Sequence, residues 1–279
     1  MSRPIRAALG LALAASLAST AALAGPQEDA RAQNAVRVLT DIQAIPESAI
    51  PDKLFDEARA VLVVPDAIKA GLVIGGRRGH GLLSIKAVDG TWSNPAFVTL
   101  TGGSIGLQAG VQSADIVLVF RSDRGLESIV NGKFTLGADA GVAAGPVGRN
   151  ASAATDGAMK AEIWSWSRAR GLFAGVALDG AVLSIDDAAD ESVYGRDTTP
   201  RMIFESRAPQ APSGAVVAFR DALEEATATA RARRAAEDAP VAAPAAPAAA
   251  PAPPVAATPA TTSPVVTEPL PDTTPPPAQ

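Results

Sequence analysis

Glycine recurs at every fourth residue in separate stretches of this 279-residue chain. Gly71, Gly75 and Gly79 form one row, and Gly102, Gly106 and Gly110 a second. Gly137, Gly141 and Gly145 form a third, and Gly171 and Gly175 begin a fourth. A spacing of four suits one face of a strand and nearly suits one face of a helix, so the neighbours decide. Val73-Ile74, Val98-Thr99-Leu100, residues 116–120 and Val176-Ala177-Leu178 are rich in strand formers, and glycine-dense segments make poor helices. Glycine within a strand marks a bulge, a bend or a close backbone approach. The rows therefore predict strongly curved strands of one sheet, with a strip bare of side chains down one face.

Helical periodicity occupies the two ends. Residues 28–44 place Ala32, Ala35, Val36, Leu39 and Ile42 at helical spacing, with acids in the first turn. Ser213 caps a closing helix through about residue 236, with Val216, Phe219, Leu223 and Ala226 on its stripe and Arg231, Arg233 and Arg234 near its end. Between them the pattern predicts a short helix over 51–60 and a strand over 60–64 that Pro65 ends. A hairpin follows, pairing 69–77 with 81–88 around Arg78-Gly79-His80. Strands over 96–108 and 115–120 precede a short helix over 123–130, capped by Ser122. Further strands cover 133–144, 159–168, 171–179 and 181–185. The expected fold class is α+β: a curved, glycine-rich antiparallel sheet or partly closed barrel flanked by N- and C-terminal helices.

Residues 1–24 read as a cleaved signal peptide. Arg3 and Arg6 open it, the apolar stretch 7–17 is too short to span a bilayer, and Ala22-Leu23-Ala24 supplies a small-residue cleavage site. A membrane anchor is the rival reading. Cleavage removes two arginines and no acids, so the formal charge moves from −5 to −7. The absence of cysteine excludes disulfides, thiolate metal sites, cysteine nucleophiles and an N-terminal lipid on cysteine. Mild acidity argues against nucleic-acid binding, which needs a basic face. Residues 238–279 carry 13 prolines among Ala, Thr and Val, which predicts a solvated spacer favouring polyproline II. The chain thus divides into a signal peptide (1–24), one α+β domain (25–236) and a disordered Pro/Ala-rich tail (237–279). The mature protein is expected to be periplasmic or secreted.

Chemistry-bearing motifs are sparse. Gly102-Gly103-Ser104-Ile105-Gly106 matches G-x-S-x-G, but His80 precedes Ser104 and no helical pattern follows, against the needs of a nucleophile elbow. A lone histidine without cysteines makes no typical zinc site, and no cofactor or metal is expected. The run Asp186, Asp187, Asp190 and Glu191 lacks the alternation of a calcium loop and suits a helix N-terminus. Gly75-Gly76-Arg77-Arg78-Gly79 and Gly145-Pro146-Val147-Gly148-Arg149 set arginines on glycine-rich turns. Open amides beside a guanidinium can hold a phosphate or carboxylate; tight turns with solvated arginines are the alternative. Trp164 and Trp166 alternate and share a face, which fits a core or a water–lipid interface.

The same stretches carry a likeness to a known family. Lys69-Ala-Gly-Leu-Val-Ile-Gly-Gly, Trp92-Ser-Asn-Pro-Ala-Phe97, Gly106-Leu-Gln-Ala-Gly110 and Asp115-Ile-Val-Leu-Val-Phe120 occur in order. They continue with Phe134-Thr-Leu-Gly-Ala-Asp-Ala through Gly145-Pro-Val-Gly-Arg149, and with Trp164-Ser-Trp-Ser-Arg-Ala-Arg-Gly-Leu-Phe-Ala-Gly175. Across residues 45–204 the chain resembles the SYLF lipid-binding family, also described as the actin-binding module of yeast endocytic proteins that carry a Src-homology domain. The resemblance implies a compact α+β domain, membrane binding (phosphoinositides in eukaryotic members) and no catalysis. Eukaryotic members bind lipid through a basic amphipathic segment ahead of the domain; here that region is mostly the signal peptide, followed by Glu28 and Asp29. An exported bacterial protein also meets neither actin nor, ordinarily, phosphoinositides.

The expected function is a non-enzymatic periplasmic or secreted module that binds lipid or another anionic envelope component, touching membrane peripherally. Its candidate contacts are Lys69, Arg77, Arg78, Arg149, Lys160, Arg168 and Arg170, with Trp164 and Trp166 as interfacial anchors. The alternative is a protein-interaction or envelope-structural module with no lipid ligand, and no nucleic-acid partner is expected in either case.

Overall fold

Nine strands form one sheet in the computed structural model, which describes residues 25–45, 49–71, 74–105, 110–147, 161–169 and 171–237. They are β1 (Ala60–Gly71), β2 (Ile74–Ile85), β3 (Ala96–Ile105), β4 (Gly110–Phe120), β5 (Lys133–Thr135), β6 (Val142–Ala144), β7 (Ile163–Arg168), β8 (Ala174–Gly175) and β9 (Val182–Ile185). The order is β5-β9-β3-β2-β1-β4-β7-β6, with β8 beside β7 off this path. Pairing is antiparallel except between β6 and β7.

The connections force this sheet to curl. β5 and β6 lie at opposite ends of the eight-strand path, yet residues 136–141 alone join them. Flat, at ~4.8 Å per strand, those edges would stand roughly 34 Å apart. A link from Thr135 to Val142 reaches about 25 Å at full extension. The sheet therefore closes into a half-barrel. Its pattern predicts one strand over 133–144; the structure splits that stretch and sends its halves to opposite edges. The split falls where Gly137 takes φ 85° and the Asp139 carboxylate accepts the Thr135 N–H at 2.6 Å, closing a turn.

Two cores result. On the concave side, Leu62, Val64, Leu100, Leu118, Phe134 and Leu183 pack with Leu126 and Ile129 of α3 (Arg124–Val130). The rings of Phe120 and Phe134, from β4 and β5, meet across the curl at 6.3 Å. On the convex side α1 (Pro26–Ala44) and α6 (Gly214–Glu237) lay Ala32, Ala35, Leu39, Phe219 and Leu223 over Val61, Val63, Leu82, Val117 and Val119. Covered on both faces, residues 60–64 and 116–120 are continuous buried apolar runs, as strands of a doubly covered sheet must be. Among the described residues there are three further short helices, α2 (Asp52–Asp56), α4 (Asp187–Tyr194) and α5 (Pro200–Phe204).

Several elements depart from the pattern for physical reasons. β1 does not end at Pro65. It passes a bulge there, with its register to β4 shifting between Val64 and Ala67. At the bulge Asp66 takes φ 50° and its N–H donates to Asp115 Oδ1 at 3.1 Å. β2 runs straight through Arg78-Gly79-His80 with no turn there, and the pairing of β1 with β2 continues as far as Gly71 opposite Gly75. Gly79 and Gly81 are strand positions pressed against Val64, Ala67 and the Val63 backbone, where a β-carbon would overlap. The predicted helix over 51–60 stops at Asp56, where the buried Lys86 ammonium donates to the Phe55 and Asp56 carbonyls at 3.3 and 2.8 Å. The strand predicted over 171–179 shrinks to the two residues of β8. One of the two serine caps read from the sequence is present; Ser122 supplies none, because α3 starts behind Asp123 with no side-chain cap hydrogen bond. Ser213 Oγ accepts from Val216 N at 3.3 Å, and Asp186 accepts from Ala189 N at 3.4 Å.

Asp190 on α4 is fully buried beneath β3. Its Oδ1 accepts the Phe97 N–H at 2.8 Å, and Oδ2 finds no partner among the described residues. Burial pushes this carboxyl up to about 8, assisted by Asp186 and Asp187 and opposed by the Phe97 hydrogen bond. The folded protein then holds a proton that the unfolded chain releases above about pH 4, so stability falls as pH rises from ~4 to 8. Asp190→Asn keeps the acceptor without the titration, and urea melts across that window should show a flatter profile than the parent. A second test concerns glycine. A methyl group on Gly145 would overlap the Trp166 indole, whereas one on Gly103 meets nothing within 4 Å. Thermal melts should show Gly145→Ala destabilised by about 1–3 kcal/mol and Gly103→Ala within ~0.5 kcal/mol of the parent.

Candidate anion-binding surface

Past the bulge, the four central strands leave both cores. Continuous burial along β1 breaks at Asp66, and beyond the buried Ala67 its positions are exposed or half-buried; β4 is exposed from Gly110 to Ser113. The register brings the glycine rows together at this end. Gly71 lies opposite both Gly75 and Gly110, and Gly76 opposite Gly103. β-Carbons on Gly76, Gly103 and Gly110 would meet nothing within 4 Å, so these glycines leave bare backbone facing outward. Large apolar side chains are exposed in the same region. Ile68 is 53% and Val111 74% accessible on the ribbon, and Leu172, 60% accessible, shares a cleft with Val111.

Cations line this ribbon. Lys69 and Arg77 are cross-strand neighbours on one face, and Arg78 lies on the other, opposite Ile68 and Thr101. Among the described residues no ion pair engages any of the three. Burial pulls the half-buried Arg77 guanidinium below its ordinary value. A cleft of about 580 Å³ separates the β1–β2 hairpin from α1, lined by Arg31, Asn34, Pro65, Ile68, Arg78 and His80 among others. Arg31 was not singled out by the sequence pattern. Its guanidinium lies 3.5 Å from Asp186 and over the Phe97 ring at 5.6 Å, contacts that only tertiary packing creates. Ile68 and Val111 carry a weak signal in the sequence, as apolar residues at the alternation that continues beyond the buried runs.

Other expected contacts sit elsewhere. Arg168 Nη2 lies 2.7 Å from Asp115 and 2.8 Å from Asp41, and its guanidinium stacks over Phe173 at 4.7 Å. It ties β7 to β4 and α1 and is not a free surface cation. Trp164 and Trp166 are buried in the convex core, where Trp166 Nε1 donates to the Pro146 carbonyl at 3.3 Å. The core alternative holds for both, which removes them as interfacial anchors: the face they share is the one the helices cover. Arg149, Lys160 and Arg170 lie outside the described residues. Ser104 sits inside β3 opposite Gly75, and His80 pairs with Thr99 farther along, so the elbow's strand–turn–helix arrangement is not met. Among the described residues no cluster of acids and histidine is placed to hold a metal, and no helix is long and apolar enough to cross a membrane.

Residues 101–226 match the Ysc84 family model, described as Las17-binding protein actin regulator. The chain is 37% identical over 168 residues to an SH3 domain-containing protein of Schizosaccharomyces pombe, covering 59% of this chain and 39% of that protein. It is 32% identical over 171 residues to protein YSC84 of Saccharomyces cerevisiae, covering 60% and 36%. To the human SH3 domain-containing YSC84-like protein 1 it is 30% identical over 172 residues, covering 60% and 50%. The chain thus spans about half or less of these relatives.

The separation of roles between Arg168 and the ribbon cations is measurable. Arg168→Ala takes from the buried Asp115 the nearer of its two guanidiniums, leaving Arg37 at 3.7 Å, and should cost up to about 3 kcal/mol in urea unfolding. Arg78→Ala should stay within ~0.5 kcal/mol of the parent in the same melts.

Proposed function

This chain carries a Ysc84/SYLF-family domain, and from that premise we propose that it is a non-enzymatic binding module whose glycine-rich ribbon docks on anionic lipid or another anionic envelope component. The observation that supports this most is the grouping of Lys69, Arg77 and Arg78, without ion-pair partners among the described residues, beside exposed Ile68 and Val111. Cations attract an anionic surface, and neighbouring apolar side chains add favourable burial once contact is made. The names of the family and its relatives point to binding and regulation rather than catalysis. Export through residues 1–24 is part of the same proposal, and cleavage after Ala24 would leave α1 whole. An envelope location makes a lipid or polymer surface, rather than an actin regulator, the ligand of this chain.

A protein-interaction role without lipid is the second reading. It is favoured by the cleft beside β4, about 660 Å³ and lined by Val111, Leu172 and Val176, which offers an apolar seat for a partner.

Co-sedimentation with phosphatidylglycerol vesicles, set against phosphatidylcholine, separates the two. Each cation near an anionic surface contributes about 1 kcal/mol, so the Lys69→Ala, Arg77→Ala, Arg78→Ala triple variant should bind at least roughly tenfold more weakly. Binding by the parent should also weaken with added salt. Unchanged sedimentation of the triple variant would exclude the ribbon as the lipid contact, and recovery of one stoichiometric protein partner without lipid would favour the second reading.

A further inference from the structure

We propose that the cleft between α1 and the β1–β2 hairpin is an oxyanion site whose affinity is set by protonation of His80, a regulation that rests on the anion-binding role proposed above. His80 is the only histidine in the chain. It lines the cleft together with Arg31, Arg77 and Arg78. Its Nδ1 lies 3.1 Å from Asp186 Oδ2 and 3.3 Å from Thr99 Oγ1. A carboxylate only accepts, so Nδ1 carries the hydrogen and Nε2 is the nitrogen that takes a proton in acid. The ring is 38% accessible, so that proton arrives without any unfolding.

The surrounding charges decide the direction. Asp186 is met by Arg31 at 3.5 Å, and Asp66, on the cleft wall, by Arg37 at 3.9 Å. On α4, Asp187 is exposed and the buried Asp190 is held in its neutral form. Arg77 and Arg78 remain without counter-charges among the described residues. Asp186 can compensate only one of Arg31 and an imidazolium at His80, so protonation adds one net positive charge at the opening that Arg78 lines. The imidazolium also competes with Arg31 for Asp186 Oδ2, the atom that both approach, and so frees a guanidinium for the ligand. Apolar wall residues such as Ala30, Pro65 and Ile68 lower the local dielectric and strengthen each of these attractions. Acid thus tightens binding of a phosphate-like oxyanion, whether on a lipid headgroup or free in solution.

Sulfate serves as the soluble probe, because its charge does not change over the window in which histidine titrates. Nuclear magnetic resonance of the single imidazole reads the proton directly. The purified protein should bind sulfate at least roughly fivefold more tightly near pH 5.5 than near pH 7.5. By linkage, saturating sulfate should raise the imidazole's affinity for its proton by the same factor. His80→Gln should bind with the parent's weaker affinity at both pH values. A matching ratio with phosphatidylglycerol vesicles identifies a lipid headgroup as the ligand. Gated sulfate binding without vesicle binding instead assigns the site to a soluble anion and removes the membrane role, leaving the gate intact. Sulfate binding that is absent, that ignores pH, or that keeps its pH dependence in His80→Gln overturns the proposal.

Discussion

A short connection governs this molecule. Residues 136–141 must bridge the two ends of an eight-strand path, and no flat sheet allows that. Curling follows, and with it a concave interior filled by strand side chains and a convex exterior that needs helices to cover it. The glycines make the curl sterically possible at particular points. Gly79 and Gly81 let β2 press on β1, and Gly145 and Gly175 let backbone approach backbone beneath the Trp166 ring. Elsewhere the same residue type has a different use: at Gly76, Gly103 and Gly110 it leaves the surface bare.

The bulge at Pro65 and Asp66 divides the central strands into two regimes. Below it, β1 and β4 are buried on both faces and fasten the two cores together. Above it, the same strands form an exposed ribbon that contributes little to either core. Asp115 sits at the boundary, accepting the Asp66 N–H and pairing with Arg168. That junction holds the ribbon's base against α1 and β7, so the exposed end can carry unpaired cations and apolar side chains without weakening the body below. Stability and recognition are thereby placed on different lengths of the same strands.

Local patterns made much of this legible. The two terminal helices, the Ser213 cap, the acidic start of α4, the α+β class and the curved glycine-rich sheet all follow from periodicity and turn chemistry, and the family likeness rests on the same stretches. The misplaced hairpin shows the limit. Arg78-Gly79-His80 looks like a turn because glycine permits one, yet Gly79 is there because Val64 and Ala67 crowd the strand opposite. The divided strand at 133–144 shows it again: alternation identifies a strand but carries no record of which edge receives it.

The candidate surface divides along the same line. Arg77 and Arg78 could be picked out on their glycine-rich segment, because their neighbours in the chain are also their neighbours in space. The fates of Trp164, Trp166 and Arg168 could not, since two helices and two distant aspartates decide them. Local order was written in the chain because hydrogen bonding, rotamer freedom and side-chain period act over a few residues. Which face is covered, which cation is paired, and whether Arg31 and His80 share a cleft depend on contacts between segments dozens of residues apart, which arise only when the curl brings those segments together.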